Sequence, residues 1–131
     1  MEDPQDKPVL LVVEGDRLRQ DAYGLVFRPL LRGILTARTV KAASELIAKH
    51  PEIDLVILGI CDTADPAQPP DTLSLINELR DAQFAGIIIG TSDSGYHRQC
   101  FGEAGCQSVH VPTEVTTAVN RILSHAGDSP T

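Results

Sequence analysis

Three stretches rich in Val, Ile and Leu stand out along the chain. They lie at residues 9–13, 53–58, where 55–58 are uninterrupted apolar residues, and 86–90, and each is followed by a polar residue or glycine. Such runs are typical of parallel strands that are covered on both faces. Two shorter β-prone segments, Ile34–Thr39 and Ser108–Val111, complete a set of five predicted strands.

Between the predicted strands, apolar residues recur at helical spacing, which predicts five helices. The first helix runs from Arg17 to about Phe27, with Asp16 as its N-cap. The predicted inward residues of this first helix are Leu18, Ala22, Leu25 and Val26. A fourth helix is predicted from Ser94 to Ala104, with Gly105 as a left-handed C-cap. The predicted apolar side of this fourth helix consists of Tyr96, Cys100, Phe101 and Ala104.

The regular alternation of strand and helix predicts an α/β fold. The expected architecture is a flavodoxin-like, doubly wound, five-stranded parallel sheet of order 2-1-3-4-5, with helices on both faces. One domain is expected over residues 8–125, between a flexible acidic tail at 1–7 and a C-terminal tail at 126–131. A Pro-rich stretch from Cys61 to Asp71 predicts a long loop at the carboxyl edge of the sheet.

Net charge and cysteine content bear on which partners the protein binds and in which compartment it folds. The net charge of −7 argues against a nucleic-acid-binding or anionic-membrane-binding surface, both of which depend on clustered Lys and Arg. Three cysteines form neither an even disulfide framework nor a CxxC pair, and no apolar run reaches the ~18 residues of a membrane span. We therefore expect a cytoplasmic protein.

Several short motifs resemble those of one known family. Leu10–Asp16 resembles the first strand and acidic turn of response regulator receiver domains, the CheY-like family. The segment 101–106 is similar to the family's "EAGA" helix end, and 109–112 is similar to its "LxKP" strand and turn. The resemblance covers about residues 8–125 and implies the same flavodoxin-like fold and a role in two-component phosphorelay signalling.

At the family's phosphorylation pocket, the resemblance implies a loss of chemistry. The position of the phospho-acceptor aspartate falls on Gly59, which cannot form an acyl phosphate. The acidic pair that helps to hold Mg²⁺ falls on Glu14 and Gly15, leaving one carboxylate unless Asp16 reaches in. The lysine position falls on Val111.

The hydroxyl position of the same pocket is matched by Thr91. The resemblance thus implies a degenerate pseudo-receiver that is not an enzyme and uses no cofactor or metal. Its expected function is phosphorylation-independent signalling through protein–protein contacts.

Two alternatives remain open. Asp62, three residues beyond Gly59, is a possible substitute acceptor, which would make the chain a conventional response regulator. Alternatively, strand-end glycines at 15, 59 and 90 together with Cys61 would suit a flavodoxin-like domain that binds a small ligand or performs redox chemistry.

The resemblance also implies an interaction face for self-association or a protein partner. In the family this face consists of the fourth helix, fifth strand and fifth helix. The corresponding residues here are Tyr96, His97, Arg98, His110 and Asn120. Aromatic rings and Arg are favoured at protein interfaces.

Overall fold

The computed structural model describes residues 7–62 and 65–127, with the side chains of 124–127 outside that description. Within these ranges, five strands form one parallel sheet in the order β2-β1-β3-β4-β5, which confirms the predicted fold. The strands are β1 (Val9–Val13), β2 (Gly33–Ala37), β3 (Leu55–Leu58), β4 (Ile87–Thr91) and β5 (Ser108–His110).

The helices begin and end largely where local chemistry predicts. They are α1 (Arg17–Phe27), α2 (Val40–Lys49), α3 (Leu73–Asp81), α4 (Gly95–Ala104) and α5 (Pro112–Gly127). The Asp16 carboxylate accepts hydrogen bonds from two backbone amides in the first turn of α1, those of Leu18 and Arg19. The Ser94 hydroxyl accepts one from the His97 amide in the first turn of α4. Gly105 ends α4 at φ 116°, the left-handed conformation expected of it.

The sheet separates two apolar layers. On one face, alternate residues of β1, β3 and β4 pack with α2, α3 and α4. On the other face, the intervening residues pack with α1 and α5. Because both faces are covered, the central strands β1 and β3 are buried along their whole length, as their unbroken apolar sequences predict.

The inward face of α1 differs from the prediction. Tyr23 and Phe27 are buried, with their rings stacked at a centroid distance of 6.1 Å. By contrast, Leu18 and Leu25 are 81% and 82% exposed, and Ala22 and Val26 are also exposed. Both sides of this helix carry apolar residues, and the aromatic rings bury the larger area against the sheet.

The inward side of α4 is also only partly as predicted. Phe101 is buried, and its ring lies so close to Gly90 of β4 that an added Cβ there would lie 2.6 Å from it. Tyr96, which the pattern places inward, is 45% exposed, while His97 is buried. His97 fits more closely because both of its ring nitrogens have hydrogen-bond partners.

The predicted segments at the chain ends and in the long loop fall partly outside the described residues. Residues 1–6 of the predicted acidic tail, 63–64 of the loop and 128–131 of the C-terminal tail lie there. Helix α5 extends to Gly127, so it includes the first two residues of the predicted C-terminal tail. In the part of the chain that the structure describes, no helix has both the length and the apolar character needed to cross a membrane.

Candidate functional site at the carboxyl ends of the strands

Three neighbouring strands end beside one another at the carboxyl edge of the sheet. Glu14 directly follows β1, Gly59 directly follows β3, and Thr91 is the last residue of β4. The Gly59 amide donates to the Val13 carbonyl at 2.7 Å, which holds the ends of β1 and β3 together. The structure therefore brings Glu14, Gly59 and Thr91 to one edge, as the sequence predicts.

The Glu14 carboxylate fills the space that a side chain at position 59 would need. A Cβ built on Gly59 would lie 2.6 Å from Glu14 Oε1 and 3.2 Å from the Val13 carbonyl oxygen. The Glu14 residue is only 3% exposed. Any larger residue at 59 must displace this buried carboxylate.

Gly15 is packed against the backbone of the β3–α3 loop. A Cβ at this position would lie 2.3 Å from the Cys61 carbonyl oxygen, and the Gly15 amide donates to the Ile60 carbonyl at 3.0 Å. A residue with a side chain, including the second carboxylate of the acidic pair that the resemblance would place here, does not fit at position 15 without a backbone shift.

Asp16 does not supply the missing carboxylate. Its Oδ1 accepts the amides of Leu18 and Arg19 at 2.9 and 3.2 Å, so the side chain caps α1. Its own amide donates to Glu14 Oε2 at 3.1 Å. The two acidic residues therefore have separate roles, one as a buried carboxylate and one as a helix cap.

Arg19 provides positive charge to this edge of the sheet. Its guanidinium lies 3.4 Å from Glu14 Oε1 and 3.7 Å from Asp93 Oδ2, linking the segments that follow β1 and β4. Burial raises the pKa of Glu14 above its ordinary value, and the Asp16 amide and Arg19 offset part of that shift. Sequence reasoning missed Arg19, because its contact with Glu14 depends on the first turn of α1 folding back over the strand end.

Two buried hydroxyl groups lie behind the carboxylate. Burial and the nearby charge of Glu14 raise the pKa of Tyr23 to about 12. The Thr91 hydroxyl opposes this shift slightly, so the two hydroxyls are neighbours, yet neither has a hydrogen-bond partner of acceptable geometry within the described residues. Thr91 is placed at the site as expected, and Tyr23 is a neighbour that the sequence did not indicate.

The amide groups that follow β3 bind a carboxylate from the chain itself. Asp71 Oδ1 accepts from the Cys61 amide at 3.1 Å, and Oδ2 accepts from the Asp62 amide at 2.7 Å. The Thr72 hydroxyl donates to the Gly59 carbonyl at 2.8 Å. Backbone amides at a strand end are a typical anion cradle, and here an internal carboxylate occupies it.

Asp62 and Cys61 lie in the same loop but differ in environment. Asp62 is exposed. Burial, followed by the charges of Asp71, Asp62 and Glu14, raises the pKa of the Cys61 thiol to about 12. Because the thiolate is the reactive form, this shift opposes nucleophilic or redox chemistry at Cys61.

Val111 supplies no positive charge to this edge, and the described acidic side chains are not grouped as metal ligands. Val111 is half-buried, and its carbonyl accepts the Glu114 amide at 3.0 Å in the turn into α5. Its apolar side chain brings no positive charge to the position. Across residues 7–62 and 65–127, no group of three or more His, Cys, Asp or Glu side chains is arranged to hold a metal ion.

The expected interaction face is only partly available at the surface. Tyr96 and Asn120 are exposed, and Arg98 is half-buried, with Nη1 donating to the Ser92 carbonyl at 2.8 Å. The half-buried His110 contacts the Ser108 hydroxyl through Nε2. The expectation that His97 is presented on this face is wrong, because the residue is only 3% exposed.

His97 instead connects the long loop to the end of β4. Its Nε2 lies 2.7 Å from the Gln68 carbonyl oxygen, which can only accept, so this nitrogen carries the proton. Its Nδ1 lies 3.0 Å from the Ser92 hydroxyl, and the Ser94 hydroxyl donates to the Pro66 carbonyl at 3.2 Å. These bonds fasten loop residues 66–68 to the start of α4.

Comparison with known proteins supports the fold. No model of a known protein family matches the chain, and no curated protein sequence matches it. Among solved structures, it is similar to the signal receiver domain of an HD domain-containing protein from Pseudomonas fluorescens, with 19% identity, a TM-score of 0.70, and coverage of 94% of this chain and 91% of that one. At this identity, the likeness establishes a shared fold.

Two further structures give the same result. The receiver domain of the Francisella response regulator 1452 matches with 19% identity and a TM-score of 0.69, over 91% of this chain and 98% of that one. A chain of the complex between the phosphorylated P1 domain of CheA3 and CheY6 from R. sphaeroides matches with 12% identity and a TM-score of 0.62, over 93% and 99%. The structural neighbours of this chain are thus response regulator receiver domains.

Proposed function

We propose that this chain is a receiver-like signalling domain that works without aspartyl phosphate and acts by binding a partner protein or a second copy of itself. The observation that carries this proposal is the position of Glu14. Its buried carboxylate occupies the space beside Gly59 in which an acceptor side chain would begin. The domain is then an adaptor and not an enzyme.

Charge balance around the site supports the same function. An acyl phosphate brings negative charge that needs cations and hydrogen-bond donors to neutralise it. Here Arg19 already contacts Glu14 and Asp93, and the amides of Cys61 and Asp62 already bind the Asp71 carboxylate. A phosphoryl group at this edge would compete with internal carboxylates for each of these donors.

Asp62 provides the alternative of a conventional phosphorelay regulator. It is exposed to a phosphodonor and lies near enough to Cys61 for its charge to raise the pKa of that thiol. Against this alternative, its backbone amide is bound by the Asp71 carboxylate, which places a second negative group beside any phosphorylated form. The high pKa of Cys61 and the ring of Phe101 over Gly90 count against a redox or small-ligand domain.

Within the proposed function, the exposed parts of α4 and α5 offer the contact surface. Tyr96 presents an aromatic ring at the surface, and Asn120 is exposed on α5. Tyr is among the residues that contribute most to binding at protein interfaces. In this role, His97 acts indirectly, because its hydrogen bonds fix the start of the helix that carries Tyr96.

Phosphorylation can be tested directly by intact-mass measurement after incubation with Mg²⁺ and a small phosphodonor such as acetyl phosphate. We expect no phosphoryl adduct on the wild-type chain. An adduct that disappears in Asp62→Asn, but persists in the matched loop variant Asp65→Asn, would overturn the proposal and identify Asp62 as the acceptor. An adduct on any other aspartate would also overturn it.

A further inference from the structure

A stripe of apolar residues on α1 faces away from the core. Leu18 and Leu25 are 81% and 82% exposed, and Ala22 lies between them on the same side of the helix. The exposed Pro29, in the short 3₁₀ turn that follows α1, continues the stripe. Large apolar side chains grouped in this way are typical of an interaction site.

A groove runs beside this stripe, between α1 and the edge strand β2. It has a volume of about 620 Å³. Gly24 is itself a buried residue, but a Cβ built on it would meet no atom within 4 Å, so the groove has space for a side chain at that point. Its lining residues include Asp21, Gly24, Leu25, Arg28, Ile34 and Thr36.

The acidic and basic side chains that line the groove, Asp21 and Arg28, are placed so that they can pair with those of a second, antiparallel copy of α1. Asp21 and Arg28 are seven residues apart and therefore lie on the same flank of the helix, two turns from each other. A second copy of α1 can be placed antiparallel to the first, with a two-fold axis between positions 24 and 25. In this arrangement Asp21 of each copy lies opposite Arg28 of the other. The same axis sets Leu25 opposite Gly24 of the second copy, where the groove is open.

The interactions within the chain leave these groups available. The pair between Arg17 and Asp21 has a distance of 3.9 Å, and its side chains are 75% and 63% exposed, so it stabilises the helix little. Leu25 makes minimal contact with its own chain, being 82% exposed. Burying Leu25 over Gly24 of a second copy would remove apolar area from water at both ends of a symmetric contact.

We propose that α1 and its groove form the interface of an antiparallel homodimer, with Leu25 of each copy seated in the groove of the other and two Asp21–Arg28 pairs at its flank. This contact is distinct from the α4–β5–α5 face. It rests on the self-association within the proposed function and gives it a specific surface, but it does not depend on whether the chain is phosphorylated, so the two proposals can fail separately.

Charge exchange tests both the interface and its direction. Sedimentation velocity over a wide range of protein concentration is expected to show the wild type moving from monomer to dimer. Asp21→Arg alone places Arg opposite Arg, and Arg28→Asp alone places Asp opposite Asp, so each should weaken dimerisation about tenfold or more. An equimolar mixture of the two variants should regain dimerisation as a heterodimer, because every pair is then complementary.

Matched controls separate this result from a general effect of charge. Glu45→Arg and Lys41→Asp, on exposed positions of α2, alter the net charge equally and should leave dimerisation unchanged. Gly24→Leu has room for the new Cβ, so the variant should fold, which circular dichroism will check. Its side chain would occupy the groove, so the folded variant should no longer dimerise.

Four results would overturn the proposal. They are a wild-type chain that stays monomeric at all concentrations, single swaps that dimerise normally, a mixture that does not recover, and a folded Gly24→Leu variant that still dimerises.

Discussion

Substitution of Gly59 by Ala tests whether the Glu14 carboxylate occupies the space beside Gly59, on which the proposed function rests. The new methyl group would lie 2.6 Å from Glu14 Oε1, closer than real Cβ atoms approach a neighbour, so the carboxylate must move. Moving it separates Glu14 from the Asp16 amide and from the Arg19 guanidinium. The backbone of Gly59 is outside the left-handed region, so Ala itself introduces no backbone strain.

The size of the effect follows from the crowding and from the hydrogen bonds of Glu14 that would break. Crowding a packed site costs about 1–3 kcal/mol, and bonds to a charged group contribute about 1.5–3 kcal/mol each. Replacing Gly by Ala returns about 0.4–1 kcal/mol through the entropy of the unfolded chain. Because moving the carboxylate relieves the crowding, the two costs are alternatives and are not summed, so we expect Gly59→Ala to lower the free energy of unfolding by about 0.5–2.5 kcal/mol in the wild-type background.

The destabilisation should largely disappear when Glu14 is shortened. In a Glu14→Ala background the carboxylate is gone, and the nearest remaining neighbour of the added Cβ is the Val13 carbonyl oxygen at 3.2 Å, so Gly59→Ala should change the free energy of unfolding by less than about 0.5 kcal/mol. Gly15→Ala is the matched control. Its clash is with the Cys61 backbone at 2.3 Å, which Glu14→Ala does not relieve, so it should destabilise both backgrounds equally.

Urea unfolding, followed by circular dichroism, measures all of these variants on one scale. The expected coupling between positions 14 and 59 is about 1–2 kcal/mol, within the range seen for residues in direct contact. If Gly59→Ala changed stability by the same amount with and without the Glu14 carboxylate, the contact between that carboxylate and the space beside Gly59 would be refuted.

Three further predictions concern buried groups. The pKa of Glu14 is higher in the folded state than its ordinary value of 4.5. Between these two values the folded chain binds more protons than the unfolded chain, so the free energy of unfolding of the wild type should fall as pH rises through this window. Urea unfolding of Glu14→Gln should lack that component, and parallel pH profiles for the two proteins would contradict the reasoning. His97→Ala removes the bond to the Gln68 carbonyl, so hydrogen exchange at the amides of Ala67 and Gln68, which are bonded to Asp65, should accelerate by roughly fivefold or more, and unchanged exchange would count against this attachment. Cys61 should react with iodoacetamide far more slowly in the folded than in the unfolded chain, because burial raises its thiol pKa to about 12; equal rates by mass spectrometry would disprove this.

Strand positions and their order could be predicted from the sequence because each depends on short-range patterns. Unbroken apolar runs indicate buried parallel strands, and the alternation with helical segments restricts the topology. The caps Asp16 and Gly105 were also predictable, since each satisfies the backbone of its own helix end. These features need no knowledge of which surfaces meet.

The buried face of α1 could not be read from periodicity. Aliphatic residues recur on one side of this helix, but Tyr23 and Phe27 on the other side fill the space between the sheet and α5. Which side is buried depends on the volume left by neighbouring elements, which a hydrophobic pattern does not contain. The exposed Leu18 and Leu25 are the consequence.

The contacts within the candidate site could not be predicted from the sequence for a similar reason. Glycine at 59 shows that this strand end carries no side chain, but not that the Glu14 carboxylate fills the space beside it. Likewise, the bonds from Asp71 to the amides of Cys61 and Asp62 join residues separated by a long loop. Such contacts arise only once the strand ends and the loop are placed together.

The most direct test of the central claim is a two-dimensional amide NMR titration of the isotope-labelled chain with Mg²⁺ and a small phosphodonor. The amides of Gly15, Gly59, Cys61 and Asp62 report on the strand ends and on the cradle that Asp71 occupies. If the site is closed to phosphoryl chemistry, their resonances will not shift. Saturable shifts centred on these four amides would contradict that claim.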